Sequence, residues 1–209
     1  MTTRNDPITL AAWRRAVAGM YADARVAAVH DQREAAERFR RHRDALFASH
    51  PNSPIDPEKR TRFEGLRYYP FDPAYRVPGK IDRDVDRMTT EIELAPDGRL
   101  RYTRVGRVRF GLNRVTLALN LYWIEGYGGG LFLPFKDKTN GRTTHGGGRY
   151  LYDTIKGADL GIDHNQLILD FNYAYNPSCA YNAKWACPLA PPENELQITV
   201  NAGELAFDP

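Results

Sequence analysis

Val115-Thr-Leu-Ala-Leu-Asn-Leu-Tyr-Trp123 alternates without a break: Val115, Leu117, Leu119, Leu121 and Trp123 are apolar, with Thr116, Ala118, Asn120 and Tyr122 between them. Strand side chains point to opposite faces with a period of two, so the stretch reads as a β-strand with one face on a core. Toward the N-terminus, Leu100, Tyr102, Val108 and Phe110 share one parity and Arg99, Arg101, Arg107 and Arg109 the other, which predicts a preceding strand joined through a turn at Asn113. Before it, Met88, Ile92 and Leu94 alternate with Thr89, Glu91 and Glu93, and Pro96-Asp97-Gly98 has turn chemistry. Toward the C-terminus, Gly126-Tyr-Gly-Gly-Gly130 interrupts the sheet, and strands are expected at 131–135, 150–152, 167–172 and 196–200. Seven or so strands in meander order, with neither alternating helices nor a repeat, predict a mainly β, α+β fold: an antiparallel β-barrel, roll or sandwich.

The remainder is helical. Leu10, Trp13, Val17, Met20 and Ala24 recur at helical spacing over 9–29, and Asp31 with Glu34 reads as a capping box opening a second helix over 32–48, with Ala35, Phe39, Leu46 and Phe47 on its thinner apolar face. Pro51, Pro54 and Pro57 end the region. The organisation expected is a helical extension, 1–50, packed on an antiparallel β domain, 51–209, with the helices over one opening or face and offering a surface for a second copy.

Residues 1–62 hold 12 Lys/Arg against 8 Asp/Glu and residues 63–209 hold 17 against 18, so the basic surplus belongs to the helices. Arg38-Phe-Arg-Arg-His-Arg43 and the arginines of 99–109 read as solvated faces rather than a nucleic-acid surface, because Tyr102 and Phe110 have the opposite parity to those strand arginines. No signal peptide and no apolar run of about 18 residues occurs, which predicts a cytoplasmic protein off the membrane, with Cys179 and Cys187 as reduced thiols or, alternatively, a local disulfide.

Two loops, within 132–150 and 172–194, concentrate the residues able to carry chemistry. In the first, Asn140, Gly146, Gly147 and Arg149 could hold an anion on unshielded amides and a guanidinium, or the glycines could serve a turn with positive φ. The second glycine of Gly141-x4-Gly146 is followed by Gly147 rather than Lys, which excludes a nucleotide-hydrolase phosphate loop, and none of Ser49, Ser53 and Ser178 sits in a nucleophile elbow. In the second loop, Asp170 and Asn172 share a strand face, and Tyr175, Asn176 and Tyr181 follow as donors and acceptors. The competing role for its asparagines is to bind the loop's own backbone. Asp170, Asp137 and His145 are the candidate proton-transfer groups and Cys179 the candidate nucleophile. Cys179, Cys187 and His145 lack the short paired spacing of zinc sites, so no metal or other cofactor is expected.

Phe135-Lys-Asp-Lys-Thr-Asn-Gly141, Gly146-Gly-Gly-Arg-Tyr-Leu151, Lys156-Gly-Ala-Asp-Leu-Gly161 and Leu169-Asp-Phe-Asn172 resemble the family catalogued as domain of unknown function 1684. Tyr175-Asn-Pro-Ser-Cys-Ala-Tyr-Asn182, Cys187-Pro-Leu189, Pro191-Pro-Glu-Asn194 and Ala202-Gly-Glu204 extend the resemblance over most of the chain after Pro51. It places Asp137, Gly141, Arg149, Asp170, Asn172, Tyr175, Asn176, Cys179, Tyr181, Cys187 and Asn194 on the family's pattern, whereas His145 departs from it at a position where relatives carry tyrosine. The resemblance implies no activity. The expectation is therefore a barrel whose mouth binds a small polar, anionic ligand, with Arg149 and the glycine amides on the anion and Asp170, Asn172, Tyr175 and Asn176 fixing orientation. As an enzyme it would use metal-independent acid–base or hydrolytic chemistry. The alternative is a non-catalytic interaction protein whose loop motifs form a structural clasp.

Overall fold

A computed structural model of the protein describes residues 6–94 and 98–208. Helix α1, Pro7–Ala27, starts at Asp6, whose carboxylate accepts from the Ile8 amide, and Pro7 occupies the first turn, where a missing N–H costs nothing. Helix α2, Gln32–Ser49, starts at the expected cap: Asp31 accepts from the amides of Arg33 and Glu34. The capping box is only half formed, because Glu34 pairs with Arg41 while the Asp31 amide donates to Ala27. A short helix α3, Pro57–Arg60, follows.

Eight strands make one antiparallel sheet: β1 Arg76–Asp82, β2 Thr89–Leu94, β3 Gly98–Leu112, β4 Val115–Ile124, β5 Gly130–Phe135, β6 Arg149–Asp153, β7 Ile162–Asp163 and β8 Gln166–Asp170. Their order is β6-β5-β4-β3-β1-β8-β7, with β2 on β3. Strands β3 to β6 form the predicted meander, whereas β1 stands between β3 and β8. The sheet curls into a half-barrel; among the described residues, no pairing joins β6 to β7 to close it. The proposed turn at Pro96-Asp97-Gly98 lies largely outside the described residues.

The strand opposite the opening stretch departs from the expected parity. Arg104 pairs with Tyr122 but Gly106 pairs with Leu121, so Val105 is an extra residue, a β-bulge. Adjacent residues of β4 face opposite ways, so the bulge transfers the side chains of β3 from one face to the other. Tyr102 meets Tyr122 edge to face in a cluster with Ile124, Phe132 and Tyr150, while Val108 and Phe110 join Leu119, Leu121, Leu133 and Phe135 in the main core. The four apolar residues assigned to one face of β3 are thus divided between two, and so are its arginines.

Two further differences have local causes. Strand β1 was hidden by Pro78, a residue that cannot donate to a ladder; β3 pairs only with residues 80–82 of it, so Pro78 stands where β1 has β8 as its sole neighbour. Residues 196–200 form no strand and instead run along 136–138, with Leu196 donating to Lys136 and Lys138 to Ile198.

The helices cover the concave side. Met20, Tyr21 and Ala24 of α1 and Ala36 and Phe39 of α2 are buried in the same core as Leu133, Leu151 and Phe171. The apolar stripe of α1 thereby finds a partner within the chain, except at Leu10, which is exposed. Among the described residues, no helix is long and apolar enough to cross a membrane.

Candidate functional site

The two loops singled out in the sequence are mainly consumed by internal bonds. Arg149 is 0% exposed: Nη2 donates to Asp137 Oδ2 at 2.9 Å and to the Val200 carbonyl at 3.1 Å, and Nη1 to the carbonyls of Ala202 and Glu204. Asp137 Oδ1 accepts from the amides of Thr139 and Val200. Asn140 closes the turn, accepting from the Asp137 amide and donating to Thr144 Oγ1 and the His145 carbonyl. Of the three consecutive glycines only Gly148 needs positive φ, at 92°, and a Cβ there would meet the Phe135 carbonyl at 2.6 Å. Gly146 is exposed and Gly147 half-buried, whereas Arg149 is sealed behind them. The amides and the guanidinium therefore do not converge on one accessible point.

Asp170 and Asn172 are neighbours as their shared parity requires, and they too are engaged. Asp170 pairs with Arg76 at 3.1 Å and caps the turn after β8, accepting from the amide and Nδ2 of Asn172. The rest of the Asn172 amide spans the backbone of Asp72, N–H to Oδ1 at 3.0 Å and Nδ2 to C=O at 2.8 Å. Burial raises the Asp170 carboxyl above the ordinary range, against the pull of Asn172 and Arg76. Asn194, 0% exposed, works similarly where β4 and β5 splay: Oδ1 accepts from the Asn120 amide, and Nδ2 donates to the Asn120 and Pro134 carbonyls.

The candidate catalytic groups do not form one constellation. Asp137 and Asp170 have different arginine partners. His145 is half-buried, its imidazole lowered by burial and by Lys136. The Cys179 amide donates to Cys187 Sγ at 3.3 Å.

Tyr175, Asn176 and Tyr181, in contrast, line a cavity beneath the helices. Its walls are Trp13, Val17, Met20 and Tyr21 of α1, Phe39, Arg43, Leu46 and Phe47 of α2, Pro54, Tyr150, Lys156, Ala158, and Tyr175 to Ser178 with Tyr181. Its volume is about 70 Å³. At one side stands a buried cluster: Arg43 Nη2 donates to Glu204 Oε2 at 3.0 Å and to Tyr181 Oη at 2.9 Å, and the Tyr181 hydroxyl donates to Glu204 Oε1. Burial raises the Glu204 carboxyl, with Arg43 and Tyr181 opposing. The Arg43 guanidinium also lies over the rings of Phe47 and Tyr175, at 4.5 and 5.3 Å. Asn176 donates through Nδ2 to the Leu205 carbonyl, which fixes its amide orientation, yet its Oδ1 and the Tyr175 hydroxyl are buried with no partner in the protein.

Arg43 and Glu204 were not among the candidates. Arg43 belongs to the basic run expected to be solvated, but it is only 6% exposed. The signal was present: Phe39, Arg43 and Phe47 are spaced by four, which sets the arginine between two rings on the buried face of α2. Nothing local marks Glu204.

The family model described as "Protein of unknown function (DUF1684)" matches residues 61–205, the β domain with both loops and Glu204. Among solved structures, the chain is similar to the solution NMR structure of an uncharacterised protein from Haloarcula marismortui, at 35% identity and a TM-score of 0.59, covering 81% of this chain and 91% of that one. No curated protein matches. A match over most of the chain shows that this protein belongs to the DUF1684 family.

Proposed function

We propose that the protein binds a small molecule with an apolar body and one neutral hydrogen-bonding headgroup, a hydroxyl or an amide, in the cavity between the helices and the curled sheet. The observation that carries this reading is Asn176: 1% exposed, on the cavity wall, with Oδ1 unpartnered. A buried acceptor without a donor costs about 1–3 kcal/mol, and a ligand N–H or O–H would recover it. The neighbouring Tyr175 hydroxyl can donate to the same headgroup or accept from it. Charge argues for a neutral head: Glu204 already compensates Arg43, Asp153 pairs with Lys156, the other cation on the wall, at 3.5 Å, and a carboxylate brought beside Arg43 would also face Glu204. The anion preference attached to Arg149 therefore does not carry over to this site. Size favours a ring-sized molecule, because a water centre needs about 10–15 Å³ and the cavity has room for several waters, well short of a nucleotide.

The loop motifs support the clasp reading. Arg149, Asp137, Asn172 and Asn194 join distant backbone segments, whereas the unmet Asn176 Oδ1 lies on the wall of the cavity under the helices.

The test is a fragment series of phenols, small alcohols and primary amides, followed by calorimetry. Saturable binding with a Kd of about 10 µM to 1 mM is expected at this ligand size. It should weaken about tenfold in Tyr175→Phe, the loss of about one good hydrogen bond, and vanish when Val17→Phe fills the space. Fragments that bind equally well to both variants would refute the assignment.

A further inference from the structure

Cys179 and Cys187 close a loop whose tip is tied to the region after α2: Trp185 Nε1 donates to the Pro54 carbonyl, and Lys184 lies 3.7 Å from Asp56. Both cysteines are half-buried and free, hence within reach of a small reagent. Their environments differ. The Cys187 sulfur receives the Cys179 amide at 3.3 Å, while the positive charge of Lys156 favours a thiolate at both sulfurs. The Ser178 amide also favours a charge on Cys187, whereas Cys179 has only its own amide beside its sulfur. These contacts favour a thiolate at Cys187.

We propose that Cys187 and Cys179 form a redox-active dithiol that exchanges with small-molecule disulfides, Cys187 attacking and Cys179 resolving. The Cys187 thiolate forms a bond to one sulfur of the disulfide, whose S–S bond breaks and expels a thiolate that takes a proton from water. Cys179 then loses its proton, its sulfur bonds to Cys187, and the second small thiol leaves. The protein dithiol is oxidised by two electrons and the small disulfide is reduced to two thiols. The interaction with Cys179, opposed by burial and aided by Lys156, pulls the Cys187 thiol down to about 6, while the same interaction and, after it, burial push Cys179 above the ordinary range.

The full chain would be incubated with oxidised glutathione at neutral pH and examined by mass spectrometry and peptide mapping. The wild type should become lighter by two hydrogens, with a Cys179–Cys187 bond. Cys179→Ser should retain one glutathione on Cys187, and Cys187→Ser should react at least about tenfold more slowly. Equal rates in the two variants, a wild type that stops at the mixed disulfide, or a folded chain that stays unmodified while the urea-unfolded chain is oxidised would each overturn the proposal. A readout that needs no variant is the pH profile of iodoacetamide alkylation of the wild type: a midpoint below 7 at Cys187 supports it, and midpoints near about 8.5 at both cysteines refute it.

Discussion

Among the described residues two arginines are buried against carboxylates, and the two pairs have different surroundings. Arg149 sits in a knot of the chain's own making, with four acceptors drawn from Asp137 and the carbonyls of Val200, Ala202 and Glu204. Arg43 sends both of its hydrogen bonds from Nη2, to Glu204 and Tyr181, and borders a cavity whose wall holds the unpartnered Tyr175 hydroxyl and Asn176 Oδ1. As a structural rivet would, Arg149 spends both terminal nitrogens on the chain's own oxygens, with Nε left unmet, and it does not line the cavity; Arg43 stands beside open space, and it is this that the proposed recognition site rests on, so neither burial nor pairing alone separates the two roles.

The contrast is most easily broken at Arg149. Replacing it with alanine leaves Asp137 buried and unpaired and four acceptors unmet, and should cost about 3–5 kcal/mol in urea unfolding. Lysine should rescue little, because a point charge cannot reach acceptors spread around a planar fork. Asn194→Ala comes next. It strips partners from the Asn120 amide and from two carbonyls, for an expected loss of about 2–4 kcal/mol by the same measurement. A loss under about 0.5 kcal/mol at either position would mean that the loops are not a clasp.

Protonation gives a smaller effect, with a definite sign. His145 is lowered in the folded chain by burial and by Lys136, so below the unfolded value of about 6.5 the unfolded chain takes up the proton first. Stability is full above that pH and declines as pH falls through the folded value. His145→Gln should flatten that decline in thermal melts run between pH 7.5 and 5.5; an unchanged slope would show that the imidazole does not feel the loop. Smallest of all is Tyr175→Phe, which removes an unpartnered hydroxyl and should leave stability within about 0.5 kcal/mol of wild type while weakening the ligand. That separation of binding from stability is what distinguishes the cavity from the clasp.

How far these roles can be read from the chain depends on how local they are. The alternation of 115–123 found β4 because strand parity is written in consecutive residues. The bulge at Val105 could not be found this way, since the pattern of 99–110 reads as continuous and the slip exists only against the register of β4. Strand β1 was masked by Pro78, tolerated where the ladder has a single neighbour. The site is less local still. Its walls come from residues 13–54 and 150–181, and Glu204 reaches Arg43 across 161 positions. Only Tyr175, Asn176 and Tyr181 were legible in advance, as part of a polar loop, and only the Phe39, Arg43, Phe47 spacing hinted at their partner. Arg149 stands out by its chemistry, but its neighbours in sequence are not its partners in space: Gly146 is exposed where the arginine is sealed in.

The most direct test of the claim that recognition sits under the helices is a 1H–15N correlation spectrum recorded while a small phenol or primary amide is titrated in. Shifts should concentrate at Tyr21, Phe47, Tyr175 and Asn176 and saturate together, leaving Gly146 and Gly147 unmoved. Shifts confined to the amides of Arg142, Gly146 and Gly147 would instead place the binding surface on the glycine loop and contradict the account.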